Sequence, residues 1–483
     1  MSLAIKHLEK IHQHPALTAV IQATQAEDGE LYLVGGAIRD LLQTGELPKD
    51  LDIVTVNTSA KKLAHTVATT LNAKTITLDE QWGIYRVIVL ENNLTLDISD
   101  ALDNNIDKDL ARRDLSINAI AVKLTDDTVL DPFNGVADLT QQTIRMTSEQ
   151  NMLDDPLRLL RVFRFAAVIY NSTITPETLA CVTQHKDKLM QAAPERIQYE
   201  LFKLFNAHTC FPSLKQMADC GLLEIIIPEL TDTRNIPSNG HHHLGLFDHT
   251  LELVRQCERV VEEFPEEARS LVRAPFNGVV SRIGLNKLAC LLHDIGKPAT
   301  QAIKEGTTDR LTFYGHDRVS EEMTDALAKR LRMGNETTDF VKKLVRWHLY
   351  PCQFSPTSSR KSVLKFFRRM GSETPDVILL ALADRHSTLG PEMSGEKLEH
   401  DHQNHLWLLE RYFEEISTLK LPPLLSGHDV MAILNIKPGP EIKEVLNALE
   451  EAQQLGEITT PEAARQWVSA QFGGVSSSRT TSP

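Results

Sequence analysis

LYLVGGAIRDLLQTGELPKDLDIVTV, residues 31–56, decides the fold. LYLV reads as an apolar strand, Gly35-Gly36 as a tight turn opening a short helix with Arg39 and Asp40, and DLDIVTV as a second strand carrying Asp50 and Asp52. Residues two apart on a strand share a face and lie roughly 6.6–7 Å apart, so these two carboxylates can share divalent metal. The glycines let the backbone approach a phosphate with no Cβ in the way, and the helix start behind them offers free N–H groups. Arg39 adds a charged fork to the same phosphates. A phosphate cradle beside a two-carboxylate metal platform is what nucleotidyl transfer requires, with metal activating the attacking hydroxyl and neutralising the leaving pyrophosphate.

These residues closely resemble the head of the polymerase-β nucleotidyltransferase superfamily, in the class II branch that holds bacterial tRNA nucleotidyltransferases (CCA-adding enzymes) and poly(A) polymerases. The resemblance covers about the first 235 residues and implies an α+β protein, an α/β head followed by all-α neck and body, with Mg²⁺ held by Asp50 and Asp52. The superfamily places a third carboxylate on a neighbouring strand, and Asp97 in LTLDIS is the candidate; a strand-end Asp also serves as a cap or turn residue.

Three further groups extend the resemblance. DKDLARRDLSINAIAV, residues 107–122, reads as helical and places Arg112, Arg113, Asp114 and Asn118 in the pattern RRDxxxN, which implies contacts to ribose and triphosphate. In DDPLRLLRVFR, Pro156 suits a first helical turn and Arg158, Arg161 and Arg164 form a stripe on one helix side. That group resembles the family element EDxxR, with Asp154 where Glu is usual, and implies that Asp155 and Arg158 read the incoming base. Cytosine and adenine both show an exocyclic amino donor beside a ring-nitrogen acceptor, whereas uracil and guanine show a carbonyl beside N–H. A fixed Asp acceptor and Arg donor therefore fit C and A. PERIQYELFKLF, with Glu195, Arg196 and Glu200, resembles the helix that braces this pocket. Only about a dozen residues separate the Asp97 strand from RRD. Family members that build the whole CCA end usually carry a longer loop there, so the resemblance favours CC addition.

Beyond residue 240 the chain changes character. His249, His293-Asp294 in LLHDIGKP, His316, His348 and Asp384 lie on or at the ends of helical runs, and imidazole with carboxylate suits a divalent metal. The spacing resembles the HD phosphohydrolase superfamily, implying a metal site of unspecified identity that acts on a phosphoester or phosphoanhydride. Arg360, Lys361, Lys365, Arg368 and Arg369 form a basic cluster that reads equally as an RNA contact or a solvated helix face. His241 to His243 read as linker.

Length and composition set the frame. The 483 residues suffice for several cores, and 42% hydrophobic with 24% charged residues is ordinary for a globular protein. No apolar run approaches the roughly 18 residues of a membrane span, and the charged N-terminus lacks a signal-peptide core, so a cytoplasmic protein with no membrane partner is expected. Six scattered cysteines contain no CxxC pair. A net charge of −14 excludes indiscriminate binding to nucleic-acid backbone. The expected organisation is a helix over 1–29, a nucleotidyltransferase head over 30–150, a helical neck and body over 151–235 for base and RNA, an HD domain over 240–395 and a helical C-terminal region over 396–483.

The reading is a template-independent nucleotidyltransferase that extends the 3′ end of tRNA from CTP and ATP. A poly(A) polymerase shares the head but usually has a basic tail and no HD set. An HD phosphohydrolase whose head only senses nucleotides is disfavoured by the intact DLD, RRD and DDxxR groups.

Overall fold

The computed structural model describes residues 7–473 apart from 25–28, 81, 92, 170, 239–243, 308–310, 389–394 and 420. His241 to His243 lie outside the described residues. The fold is α+β, and the chain divides into two compact units, Met1–Pro228 and Glu229–Pro483.

The first unit is built on a seven-stranded sheet. Its strands are β1 (Glu30–Val34), β2 (Asp50–Val56), β3 (Lys74–Asp79), β4 (Ile84–Val89), β5 (Leu94–Asp100), β6 (Ala121–Lys123) and β7 (Val129–Leu130), in the order β3-β4-β5-β2-β1-β6-β7. Only β2 and β5 pair in parallel; all other neighbours are antiparallel. Alternation sorts the side chains by face. Leu31, Leu33, Leu51, Ile53, Val87, Leu96 and Ile98 face the main core, which the helices Pro15–Thr24, Gly36–Thr44 and Ala60–Thr70 complete through Leu17, Ile38, Leu41, Leu63 and Val67. Asp50 and Asp52 occupy the alternate positions of the same strand and therefore stand on the opposite face.

The helix expected near 107–121 is shorter. It spans Ile106–Ala111, and Arg112 to Asn118 form a turn ending in the single 3-10 turn Ser116–Asn118. The cause is local: buried Asp114 accepts hydrogen bonds from the Leu115 N–H at 2.8 Å and the Asn118 side-chain amide at 3.0 Å, a competing pattern that closes a turn. Ala121 to Lys123 are then recruited into the sheet beside β1. The helices Glu149–Asp154, Leu157–Val168 and Pro194–Phe205 follow.

The described residues of the second unit are mainly helical, with a short pairing of Ala302–Ile303 with Leu311–Thr312 and an isolated bridge between Pro275 and Ser281. The helices Leu246–Val260, Arg282–Leu292, His316–Arg330, Asn335–Trp347 and Thr374–Ser387 carry the spaced histidines and aspartates at or near their ends. The terminal helices Gly427–Leu434, Pro440–Gln454 and Pro461–Phe472 have a core of their own around Val430, Val445, Leu449 and Val468. No helix among the described residues is long and apolar enough to cross a membrane.

Candidate active site

Strand register assembles the carboxylates. β2 and β5 pair Asp52 with Asp97 and Asp50 with Thr95, and β4 and β5 pair Arg86 with Asp97. Paired residues share a face, so Arg86, Asp97 and Asp52 form one row across the sheet. Arg86 clamps Asp97 with two bonds, Nε to Oδ1 and Nη2 to Oδ2, both 2.7 Å. The Thr95 hydroxyl donates to Asp50. Burial pushes the Asp52 carboxyl above its ordinary value and Asp97 and Asp50 push it further, while the Arg113 guanidinium opposes them. An all-oxygen pair on one strand face, whose mutual repulsion a bound cation would relieve, fits a hard divalent cation.

The glycine turn sets the neighbouring wall. Gly35 has φ +66° and ψ −124°, a conformation that side chains rarely adopt, and a Cβ there would lie 2.5 Å from Arg113 Nη1. Arg39 donates through Nη1 to Asn118 Oδ1 at 2.7 Å and through Nε to Asp40 Oδ1 at 2.9 Å. Arg113 is held by Asp109, 3.2 Å from its Nη2.

A cleft of about 370 Å³ gathers most of the expected residues: Gly36, Arg39, Asp52, Arg113, Asp114, Asn118, Asp155, Arg158, Arg161 and Arg164 all line it. Arg112 does not. Its guanidinium pairs with Asp109 and lies over Trp82, 5.7 Å from the ring centre, while its carbonyl accepts from Arg158 Nη1 at 2.7 Å. Asp154 is exposed and bonded by Gln150 at 2.7 Å, so the departure from Glu falls outside the cleft lining. Asp50 and Asp97 stand on the sheet beside the cleft rather than in its lining.

Acids of the neighbouring elements fix the arginine stripe. Arg161 binds Asp114 at 2.7 Å and Glu200 at 3.3 Å, and Arg164 pairs with the same Glu200 at 3.0 Å. Asp155 pairs with Arg196 at 2.7 Å. Phe165, which the sequence pattern does not single out, is surrounded by guanidinium groups of Arg39, Arg161 and Arg164 at 4.8, 5.4 and 3.9 Å from its ring centre. Burial lowers Arg164 to about 10 despite Glu200.

Asp114 carries a testable pH signature. Burial alone would raise its pKa, but Arg161, the Asn118 amide and the Leu115 N–H outweigh it and lower it from 3.8 to about 2. A folded value below the unfolded one contributes stability that is complete above the unfolded pKa and lost as pH falls through the folded one. Asp114→Asn is expected to destabilise the first unit by about 2 kcal/mol at pH 7. Denaturant unfolding of both proteins checks this: the difference should narrow as pH falls from about 4 towards 2.

In the second unit the histidines and aspartates converge. His249, His293 and Asp294 form one group with metal-ligating atoms within 4.8 Å of one another, and Asp294, His316 and His348 form another. Asp384 joins through Oδ1, 3.2 Å from His249 Nε2 and 3.9 Å from His293 Nε2. The Nδ1 atoms of His293, His316 and His348 face the carbonyls of Cys290, Phe313 and Val345 at 2.9, 2.7 and 2.7 Å. A carbonyl only accepts, so each Nδ1 carries the proton and each Nε2 turns a lone pair inward. Ser387, which no sequence motif marks, does the same for His249: its hydroxyl donates to the Asp384 carbonyl at 2.7 Å, leaving its oxygen to accept from Nδ1 at 3.2 Å. Four imidazoles preset as Nε2 ligands around two carboxylates fit a divalent metal. Lys297 lies 2.5 Å from Asp294.

The basic cluster of the second unit is largely spoken for. Arg360 pairs with Glu415, Lys361 and Arg368 share Glu451, and Arg369 stacks on Trp347.

The family model "Poly A polymerase head domain" matches residues 31–145, "Probable RNA and SrmB- binding site of polymerase A" matches 172–233, and "HD domain" matches 246–389. The A-adding tRNA nucleotidyltransferase of Deinococcus radiodurans is 34% identical over 443 residues, covering 90% of this chain and 94% of that protein. The CC-adding tRNA nucleotidyltransferase of Thermus thermophilus is 32% identical over 454 residues, covering 92% and 94%. The Thermotoga maritima CCA-adding enzyme, solved with tRNA, shares the fold at a TM-score of 0.62 and 20% identity, with 97% of this chain and 99% of that one covered. With a nucleotidyltransferase head, a helical neck and an HD module matched along nearly the whole length of such relatives, this chain belongs to the tRNA nucleotidyltransferase family.

Proposed function

We propose that the protein adds cytidines to the 3′ end of tRNA, with the cleft of the first unit as its active site. Asp50 and Asp52 would hold divalent cation, Mg²⁺ by the oxygen-only donor set, which when bound supplies charge neutralisation for the transferred phosphate. Gly35 and Gly36 admit the triphosphate close to the backbone, and Arg39 and Arg113, already positioned by Asn118 and Asp109, neutralise it. Asp155, fixed by Arg196, accepts from the exocyclic amino group of the base, and Arg158 donates to its ring nitrogen. Arg158 is anchored through the main-chain carbonyls of Arg112 and Asn151, which sets its reach into the cleft. A tRNA partner, with CTP as the nucleotide donor, follows from this assignment.

The boundaries between head, neck, HD and tail modules at about 150, 235 and 395 are part of the same reading, and so is phosphohydrolysis at the HD centre, with a phosphoester as substrate class. The HD residues would hold the metal through His249, His293, Asp294 and Asp384, with His316 and His348 sharing Asp294.

The observation that supports CC rather than CCA addition is the connection after β5. It runs from Asp100 to the helix at Ile106 with only the 3-10 turn Leu102–Asn104 between them, leaving no long segment to reshape the pocket for a second kind of base. Relatives of both specialities resemble this chain, so identity does not decide. The test is nucleotide incorporation on tRNAs ending at the discriminator base, at C and at CC, with CTP and ATP supplied separately and together. Extension that stops at CC is expected. Full CCA, or A added only to the CC-ended tRNA, overturns the CC assignment; long A tails on unrelated RNA favour a poly(A) polymerase.

A further inference from the structure

Asp97 is the carboxylate that strand register brings to Asp52, yet both of its oxygens are already engaged. Arg86 meets it as a fork, one N–H per oxygen at 2.7 Å, from the directly opposed position on β4. Such a bidentate pair fixes the carboxylate plane and direction as well as its charge. Asp50 differs, since a single hydroxyl from Thr95 reaches one of its oxygens and leaves the other unclaimed by that contact. The row therefore runs cation, anion, anion across β4, β5 and β2, and its cation belongs to the chain itself.

We infer that Arg86 is a positioning residue that holds Asp97 back from the metal, so that the cation-binding pair is Asp50 and Asp52, with Asp97 acting on them from a fixed place. The inference rests on the reading of Asp50 and Asp52 as cation ligands. Two consequences follow from the geometry. Asp97 in the intact protein contributes little to cation affinity, because Arg86 neutralises its charge and fixes the direction of both its oxygens. Without Arg86 the row gains one uncompensated negative charge and Asp97 is free to turn towards Asp52, so cation binding becomes tighter rather than weaker. A merely structural β4–β5 ion pair predicts the opposite pattern: loss of thermal stability with cation affinity unchanged or reduced.

The experiment measures Mn²⁺ binding to the full chain by electron paramagnetic resonance, without nucleotide or tRNA. The proteins are wild type, Arg86→Gln, Asp97→Asn, the Arg86→Gln/Asp97→Asn double variant and Asp52→Asn. His293→Ala/Asp294→Ala in every background silences the HD centre. Arg86→Gln is expected to tighten Mn²⁺ binding about tenfold, the equivalent of one strong charge contact. Asp97→Asn should weaken it, by leaving the Arg86 charge uncompensated, but by less than Asp52→Asn, and the double variant should return to the wild-type value, since the gain exists only when Asp97 is present. Unchanged or weaker binding in Arg86→Gln overturns the inference, as does an Asp97→Asn loss as large as that of Asp52→Asn. Full Mn²⁺ binding in Asp52→Asn sinks the site reading itself, and the inference with it. Glutamine keeps most of the arginine's length, and thermal unfolding of each variant separates a misfolded protein from a changed site.

Discussion

Asp52→Asn is expected to lower nucleotide addition by at least about a thousandfold, roughly 4 kcal/mol of transition-state stabilisation, with tRNA binding retained. Asp52 is the member of the DLD pair that lines the cleft, and it sits in register with Asp97 and under the influence of Arg113. Asparagine preserves shape and removes the charge, so the loss falls on the chemical step rather than on folding. Single-turnover incorporation of labelled CTP, beside a filter-binding measurement with tRNA, separates the two. Residual activity near wild type would remove Asp52 from the catalytic assignment.

The second large effect is expected at Gly35. Gly35→Ala places a methyl group 2.5 Å from Arg113 Nη1 and forces alanine into φ +66°, ψ −124°. The side-chain end of Arg113 can move, but moving it takes a guanidinium out of the cleft; the backbone strain has no such outlet and costs on the order of 1–3 kcal/mol. Both effects act on the triphosphate wall. The KM for CTP should rise by about 10- to 100-fold, corresponding to roughly 1.4–2.8 kcal/mol. Alanine at Gly36 should do less, because a Cβ there meets only the Arg39 guanidinium at 3.6 Å and Gly36 has no positive φ. Equal effects at the two glycines would contradict this account of the turn.

Which parts of the fold and the site are legible in the sequence depends on how local their causes are. The strand, glycine turn, helix and DLD strand are readable because their signals are alternation, paired glycines and apolar spacing within a few residues. The arginine stripe is readable for the same reason, and Arg158, Arg161 and Arg164 do lie along one cleft. The stretch around RRD reads as helix but is a turn, because helical spacing of apolar residues competes there with a buried carboxylate. Asp114 closes that turn through Leu115 and Asn118, and no pattern of hydrophobicity records it. Arg86 gives no signal in the sequence because its meaning comes from register with β5, set by pairing across the sheet. Phe165 has the spacing of an ordinary core residue of an amphipathic helix; three guanidinium groups around its ring include one, Arg39, from an element far away in sequence. Ser387 is equally silent, since its importance lies in one hydrogen bond that decides which nitrogen of His249 carries a proton.

The most direct test of the central claim is incorporation by the purified full chain on tRNA lacking its 3′ end, with each of the four nucleoside triphosphates labelled in turn. A site in which Asp155 and Arg158 read the base predicts addition of C with release of pyrophosphate, no addition of U or G, and loss of that discrimination in Asp155→Ala. Failure to extend tRNA with any nucleotide, or equal use of CTP and UTP, would contradict it.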